Sequence, residues 1–164
     1  MSAMKRLFVA LILLVIARAS WSQSPASTPD IPTRFDLPNN GYDYTKEVVM
    51  IPMRDGVKLY TVLVIPKGAT HAPMLLTRTP YDAASRATRE ESPHMLDELP
   101  QGDDVFVRAG YLRIFQDVRG KYGSEGNYLM TPPPLGPLNQ SGVNDTTDAY
   151  DTVDWLVKHV QQSN

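Results

Sequence analysis

Two kinds of strand pattern follow each other in this chain, and the switch between them limits the fold more than any other feature. After the turn residues Arg54-Asp55-Gly56, the run from Val57 to Ile65 alternates. Val57, Leu59, Thr61, Leu63 and Ile65 share one face; Lys58, Tyr60, Val62 and Val64 share the other. Glu47 to Met53, before the turn, is apolar and β-branched. Two strands about an Asp-Gly turn read as an antiparallel hairpin. Pro73 to Thr77 is instead almost wholly apolar, the pattern of a strand buried on both faces of a parallel sheet. Parallel strands need crossovers, and crossovers need helices.

The helices are readable in turn. Asp103 or Asp104 is placed to cap a short helix through Val105, Phe106, Val107 and Ala109, with Gly110 as its stop. A helical turn is expected near His94 to Leu99, within the polar stretch Asp82 to Pro100, and Tyr111 to Val118 reads as the next strand. Arg119 to Asn144 is 26 residues rich in Gly, Pro, Ser and Asn without periodicity, a length that marks a functional or irregular loop. Asn144 or Asp145 then caps a helix whose apolar positions are Ala149, Val153, Leu156, Val157 and Val160. Hairpin, strand, helix, strand, helix is the order of an α/β fold with a parallel sheet. No strand follows the last helix, so the sheet reads as unfinished.

The chain has 164 residues, room for one ordinary domain. Its formal charge of −2 offers no basic surface for nucleic acid. It has no cysteine, which excludes disulfides, thiolate metal sites and a cysteine nucleophile. His71, His94 and His159 lack metal-ligand spacing. At the N-terminus, Lys5 and Arg6 precede the apolar run Leu7 to Ala17, and Ala17-Arg18-Ala19 supplies a cleavage site. The run is too short to cross a bilayer, which takes about 20 residues. Residues 1–19 read as a secretory signal, with cleavage after Ser22 as the alternative. Their removal takes three basic residues and no acid, so 16 − 3 = 13 cations face 18 acids and the charge becomes −5. The mature protein is expected in the periplasm or secreted, free of the membrane. Residues 20–41 form a Ser/Pro-rich arm, and residues 42–164 the folded part.

Several motifs invite chemistry. In Arg119 to Gly126 the glycines recur every three residues, which is not a dinucleotide or phosphate loop. Ser124 lies in Tyr122-Gly123-Ser124-Glu125-Gly126, but a nucleophile elbow needs Gly at the position of Tyr122 and a strand-to-helix turn around the serine. Ser124 is therefore not read as a nucleophile. Arg119 is expected to tie its loop to a carboxylate. Asp145, Asp148, Asp151 and Asp154 recur every three residues; they suit the helix N-terminus and a solvated outer face better than a metal. Thr79-Pro80-Tyr81 is more pointed. Pro80 fixes its own φ and holds Thr79 extended, so the direction of Tyr81 is largely set. By itself such a tyrosine is a packed ring with a wet hydroxyl.

The segments RDGVKLYTVLVIPKG, APMLLTRTPYDA, LPQGDDVFVRAGYLRIFQDVRGKYGSEG and DTTDAYDTVDWLV, taken together, resemble the α-amino-acid ester hydrolases. These sit within the wider group of X-Pro dipeptidyl-peptidase-like and cocaine-esterase-like serine hydrolases. The resemblance runs from Tyr42 to Asn164. It implies the N-terminal part of an α/β-hydrolase fold, incomplete before the nucleophile elbow, with a cap and a jelly-roll domain in the full protein. The family's G-x-S-Y-x-G strand comes next, so the nucleophile, acid and base are expected beyond Asn164 and this chain alone is expected to be inactive. The tyrosine of R-x-P-Y, which donates its hydroxyl to the oxyanion hole in the family, corresponds to Tyr81. The implied substrates are α-amino-acid esters and β-lactam amines. The implied assembly is a homotetramer using the N-terminal arm, and no metal or organic cofactor is implied. An X-Pro dipeptidyl-peptidase-like peptidase or acylase, or a non-catalytic truncated product, remain the alternatives.

Overall fold

The computed structural model describes residues 43–164. The expected signal sequence (residues 1–19) and the whole arm (residues 20–41) fall outside the described residues. The elements are β1 (Tyr44–Pro52), β2 (Lys58–Pro66), β3 (Met74–Thr79), α1 (Ala83–Arg86), α2 (Met95–Glu98), a 3-10 turn (Gln101–Asp103), α3 (Asp104–Arg108), β4 (Leu112–Asp117) and α4 (Asp145–His159).

The hairpin forms as the alternation requires. β1 and β2 pair antiparallel from Tyr44 opposite Pro66 to Pro52 opposite Lys58. The Met53 N–H donates to the Val57 carbonyl at 2.8 Å and closes the connection. Within it Gly56 takes φ 87°, a left-handed conformation that glycine adopts without cost. The sheet order is β1-β2-β4-β3. β4 runs antiparallel to β2 and parallel to β3, with Met74 to Thr79 opposite Leu112 to Asp117. This mixed sheet, a hairpin feeding parallel strands with helices on both faces, is the expected α/β architecture.

Every residue of β4 is buried, because the strand is central and covered on both faces. On one face Leu59, Leu63, Ile65, Leu112 and Ile114 pack with Leu156 of α4 and with Val160, its C-cap. On the other, Val62, Val64 and Phe115 pack with Ala83, Ala87, Met95 and Leu99. Full burial of each such aliphatic side chain contributes about 1.5–3 kcal/mol.

Four expectations are corrected. β3 is half-buried rather than buried on both faces; it pairs only with β4 and lies at a sheet edge among the described residues. Asp103 stands at the N-cap of α3 as expected, but its side chain makes no cap bond. Its carboxylate is drawn to the buried Arg113 of β4, accepting from Nη2 at 3.0 Å, and an ion pair outweighs a cap bond here. α1 was not foreseen; Asp82 caps it by accepting from the Ala84 and Ser85 N–H groups.

The fourth correction concerns the buried stripe of α4. Asn144 is the cap, and with Thr147 it forms a capping box. The residues turned inward, however, are Asp148, Thr152, Leu156 and Val160, while Val153 and Val157 are 48% and 55% exposed. The reason is polar. Gln116 Nε2 donates to Thr61 Oγ1 and Thr152 Oγ1, both at 3.0 Å, and the Gln116 Oε1 accepts from Arg78 Nε at 2.9 Å. Thr152 Oγ1 is also within 2.7 Å of the Asp148 carbonyl. Leaving the buried amide unsatisfied would itself cost about 1–3 kcal/mol.

Candidate active site

In sheets with parallel strands, ligands bind beyond the carboxyl ends, where the loops converge. Here those ends are Thr79 of β3 and Asp117 of β4, directly opposite in register. Tyr81 follows Thr79 by two residues and is 72% exposed. Among the described residues nothing hydrogen-bonds its hydroxyl.

The long loop after β4 closes against the same end of the sheet. A cavity of about 460 Å³ lies between Pro80, Val118, Leu129, Met130, Val143 and Asn144, a size that suits a small organic molecule. Its wall includes Arg119 and Asp148. Arg119 donates Nε and Nη2 to the two Asp148 oxygens at 3.0 and 2.7 Å, and Nη1 to Asp55 Oδ2 at 2.7 Å. One guanidinium thus joins the hairpin turn, the loop and α4. Its pKa is held well above the ordinary arginine value, first by the Asp148 hydrogen bond, against some desolvation. The expectation that Arg119 ties its loop to a carboxylate holds, with two carboxylates rather than one.

The glycines of this loop are steric. A Cβ on Gly123 would lie 2.6 Å from the Tyr60 ring, and one on Gly120 2.2 Å from the Tyr128 nitrogen. Ser124 is spent on structure: its hydroxyl donates to the Asp117 carbonyl at 2.7 Å and accepts from the Tyr60 N–H at 2.8 Å. No imidazole reaches it. His94 meets Asp43 at 3.2 Å, His159 stacks on Trp155, and His71 is exposed in a turn.

The acidic row of α4 is not a merely solvated face. Asp148 is 1% exposed and holds Arg119. Asp151 accepts from the Arg54 backbone N–H, Nε and Nη2, and Asp154 pairs with Lys158. No group of three His, Asp or Glu side chains that could hold a metal occurs among the described residues.

One buried group escaped the sequence reading, and a second, Asp117, was seen only as part of the loop motif that resembles the family. Arg113, on β4, donates to the Leu75 carbonyl and to Asp103, and lies over the Phe115 ring at 4.7 Å. Asp117 accepts from the Ala83 N–H at 2.7 Å and the Gly123 N–H at 3.2 Å. Burial, with a smaller contribution from the nearby charge of Asp82, pushes its carboxyl above the ordinary aspartate value. The only signal for Arg113 was a charged residue inside a strand that must be central.

Comparison with known proteins agrees with this geometry. Residues 55–164 match the family model described as X-Pro dipeptidyl-peptidase (S15 family). Cocaine esterase of Rhodococcus sp. (strain MB1 Bresler) is 36% identical over 111 residues, covering 67% of this chain and 16% of that protein. A selenomethionine-labelled α-amino acid ester hydrolase of known structure is 62% identical, with a TM-score of 0.75, over 86% of this chain and 23% of its own. An aminopeptidase from a marine sediment Thaumarchaeota archaeon is 50% identical, with a TM-score of 0.74 and the same coverage. The chain thus spans less than a quarter of the length of these relatives. With β2, the parallel strands and the loop after β4 all falling inside the matched residues 55–164, this α/β-hydrolase-type domain belongs to the X-Pro dipeptidyl-peptidase (S15) family.

Proposed function

We propose that this chain supplies the oxyanion side of the active site in a serine hydrolase acting on esters of α-amino acids. In the complete enzyme the acyl group passes to a serine and then to water or to the amine of a β-lactam nucleus. The serine, its base and its acid come from sequence after Asn164. Tyr81 is the group contributed here. Negative charge develops on the ester carbonyl oxygen during attack, and a hydroxyl fixed in advance stabilises that charge without reorganising.

The observation that carries the reading is the exposed Tyr81, its hydroxyl unclaimed, at the carboxyl end of β3, in a chain 62% identical to an α-amino acid ester hydrolase. Export to the periplasm or medium is part of the proposal, supported by the order of charge, apolar run and small residues over residues 1–19. So is a homotetramer using the N-terminal arm, as the resemblance to the α-amino-acid ester hydrolases implies. Serine acyl transfer itself requires neither metal nor organic cofactor. A second reading, cleavage of an amide by the same oxyanion donor, is favoured by the 50% identical aminopeptidase.

The test is Tyr81→Phe in the full-length enzyme, assayed on an α-amino-acid methyl ester and on an X-Pro anilide. The ring and its contacts are kept and only the donor is lost. The kcat should fall by about 10²–10³, with kcat/KM falling alongside and KM nearly unchanged. Wild-type kcat in this variant would reduce Tyr81 to a turn residue. Preference for the anilide would move the reaction class to the second reading.

A further inference from the structure

The segment carrying Tyr81 is fastened more firmly than a bare turn requires. Pro80 has no N–H to place. The Tyr81 N–H donates to Thr79 Oγ1 at 3.0 Å, and the Ala83 N–H donates to Asp117 Oδ1 at 2.7 Å. Both acceptors are buried, and they stand opposite each other as the last register pair of β3 and β4. Between the two fastened residues, Asp82 holds φ 56°, a left-handed backbone that aspartate accepts more readily than most residues other than glycine.

The second Asp117 oxygen reaches the other way, to the Gly123 N–H, and its backbone carbonyl takes the Ser124 hydroxyl. Gly123 is in turn pressed against the Tyr60 ring. One carboxylate therefore joins the tyrosine turn to the loop that follows β4. A neutral amide could not replace it evenly, because both of its partners are donors and an amide offers only one acceptor atom. The site thus retains a charge in a buried position beside Asp82, where a charge is unfavourable.

We propose that Asp117 and Thr79 are positioning residues that aim Tyr81 by fixing the main chain on either side of it. Neither touches substrate. They act through the tyrosine, and the inference rests on the reading of Tyr81 as the oxyanion donor. A donor held on an unfastened turn would have to be ordered in every turnover, and displacement by about 1 Å can cost on the order of 10² in rate.

A double-mutant cycle in the full-length enzyme tests this. Asp117→Asn keeps the side-chain size but turns an NH₂ toward one of the two N–H donors. It should lower kcat about tenfold or more with KM within about twofold. In the Tyr81→Phe background the same substitution should have almost no further effect on kcat, since no hydroxyl remains to be aimed. A purely structural aspartate would lower kcat by the same factor in both backgrounds, and that outcome overturns the proposal. If Asp117→Asn does not accumulate as folded protein, Thr79→Val carries the same cycle: its loss must vanish beside Tyr81→Phe, or the proposal fails. The two readings separate cleanly. Unchanged kcat in Tyr81→Phe alone removes the donor itself, whereas an impaired Tyr81→Phe with additive partners removes only the aiming.

Discussion

Arg119 and Asp148 meet fork to fork, two N–H groups on two oxygens at 3.0 and 2.7 Å, with the aspartate 1% exposed. Removing the arginine leaves a buried carboxylate whose nearest remaining cation is Arg78, 3.9 Å away and itself without a hydrogen bond at Nη2. Breaking one side of such a pair costs about 3–5 kcal/mol. Arg119→Met should therefore lower the unfolding midpoint of the full-length protein by several degrees, and Arg119→Lys should recover little because a point charge cannot bridge both oxygens. Scanning calorimetry of the three proteins decides it; a midpoint for Arg119→Met within a degree of wild type would show that the pair is dispensable.

A pH dependence follows from Asp151. The Arg54 hydrogen bond holds its carboxyl below the ordinary aspartate value. The unfolded state therefore binds a proton first as pH falls, so this pair stabilises fully above the unfolded value and is lost as pH drops through the folded one. Arg54→Gln should be less stable than wild type near neutrality, and the difference should shrink below about pH 4. Asp117 carries the opposite sign: its raised value means that the native state holds the proton longer, so its contribution declines as pH rises from the ordinary aspartate value through the raised one. Unfolding midpoints measured from pH 3 to 7 would expose both slopes, and parallel curves for wild type and Arg54→Gln would refute the first.

Gly123→Ala tests the steric account of the loop. The added methyl would lie 2.6 Å from Cγ and Cδ2 of Tyr60, and overpacking of this kind costs about 1–3 kcal/mol. Gly102→Ala meets nothing within 4 Å and serves as the control. Denaturant unfolding should rank the first well below the second; equal stability would mean that the glycine is not required by the ring.

Export is checked at the N-terminus. Expressed in a bacterium, the protein should be recovered outside the cytoplasm beginning at Ser20 or Gln23. Mass spectrometry that found residues 1–19 still attached to exported protein would exclude cleavage.

The alternation of Val57 to Ile65 was enough to place the hairpin and its faces, because apolar burial decides register there. Asn144 was legible for a similar reason: a cap is a local bond between neighbours in sequence. The buried face of α4 was not. Ala149, Val153 and Val157 match a helical stripe, yet the helix turns toward Asp148 and Thr152 because Gln116 and Arg119, distant in sequence, demand partners. Asp103 was misread in the same way, its carboxylate claimed by Arg113 from the far side of a strand. Periodicity reports what avoids water. It is silent on which buried polar groups will find one another. Tyr81 sat between these cases, since Pro80 announced a fixed turn but only the fold showed the hydroxyl left unclaimed.

β4 is threaded between β2 and β3, and this sets the order in which the chain can assemble. The hairpin can close as soon as residue 66 has left the ribosome, because its contacts are local. β3 is made next and finds no neighbour until residues 112–117 follow, with both walls of the slot waiting for a strand not yet synthesised. Closing that slot joins segments far apart in sequence, and the loop entropy falls due before the contacts repay it. A slot locked by β4 stays open until β4 is made. For a chain proposed to cross a membrane before folding, locking this late would keep the polypeptide thin enough to thread, with β3 and β4 left to pair afterwards.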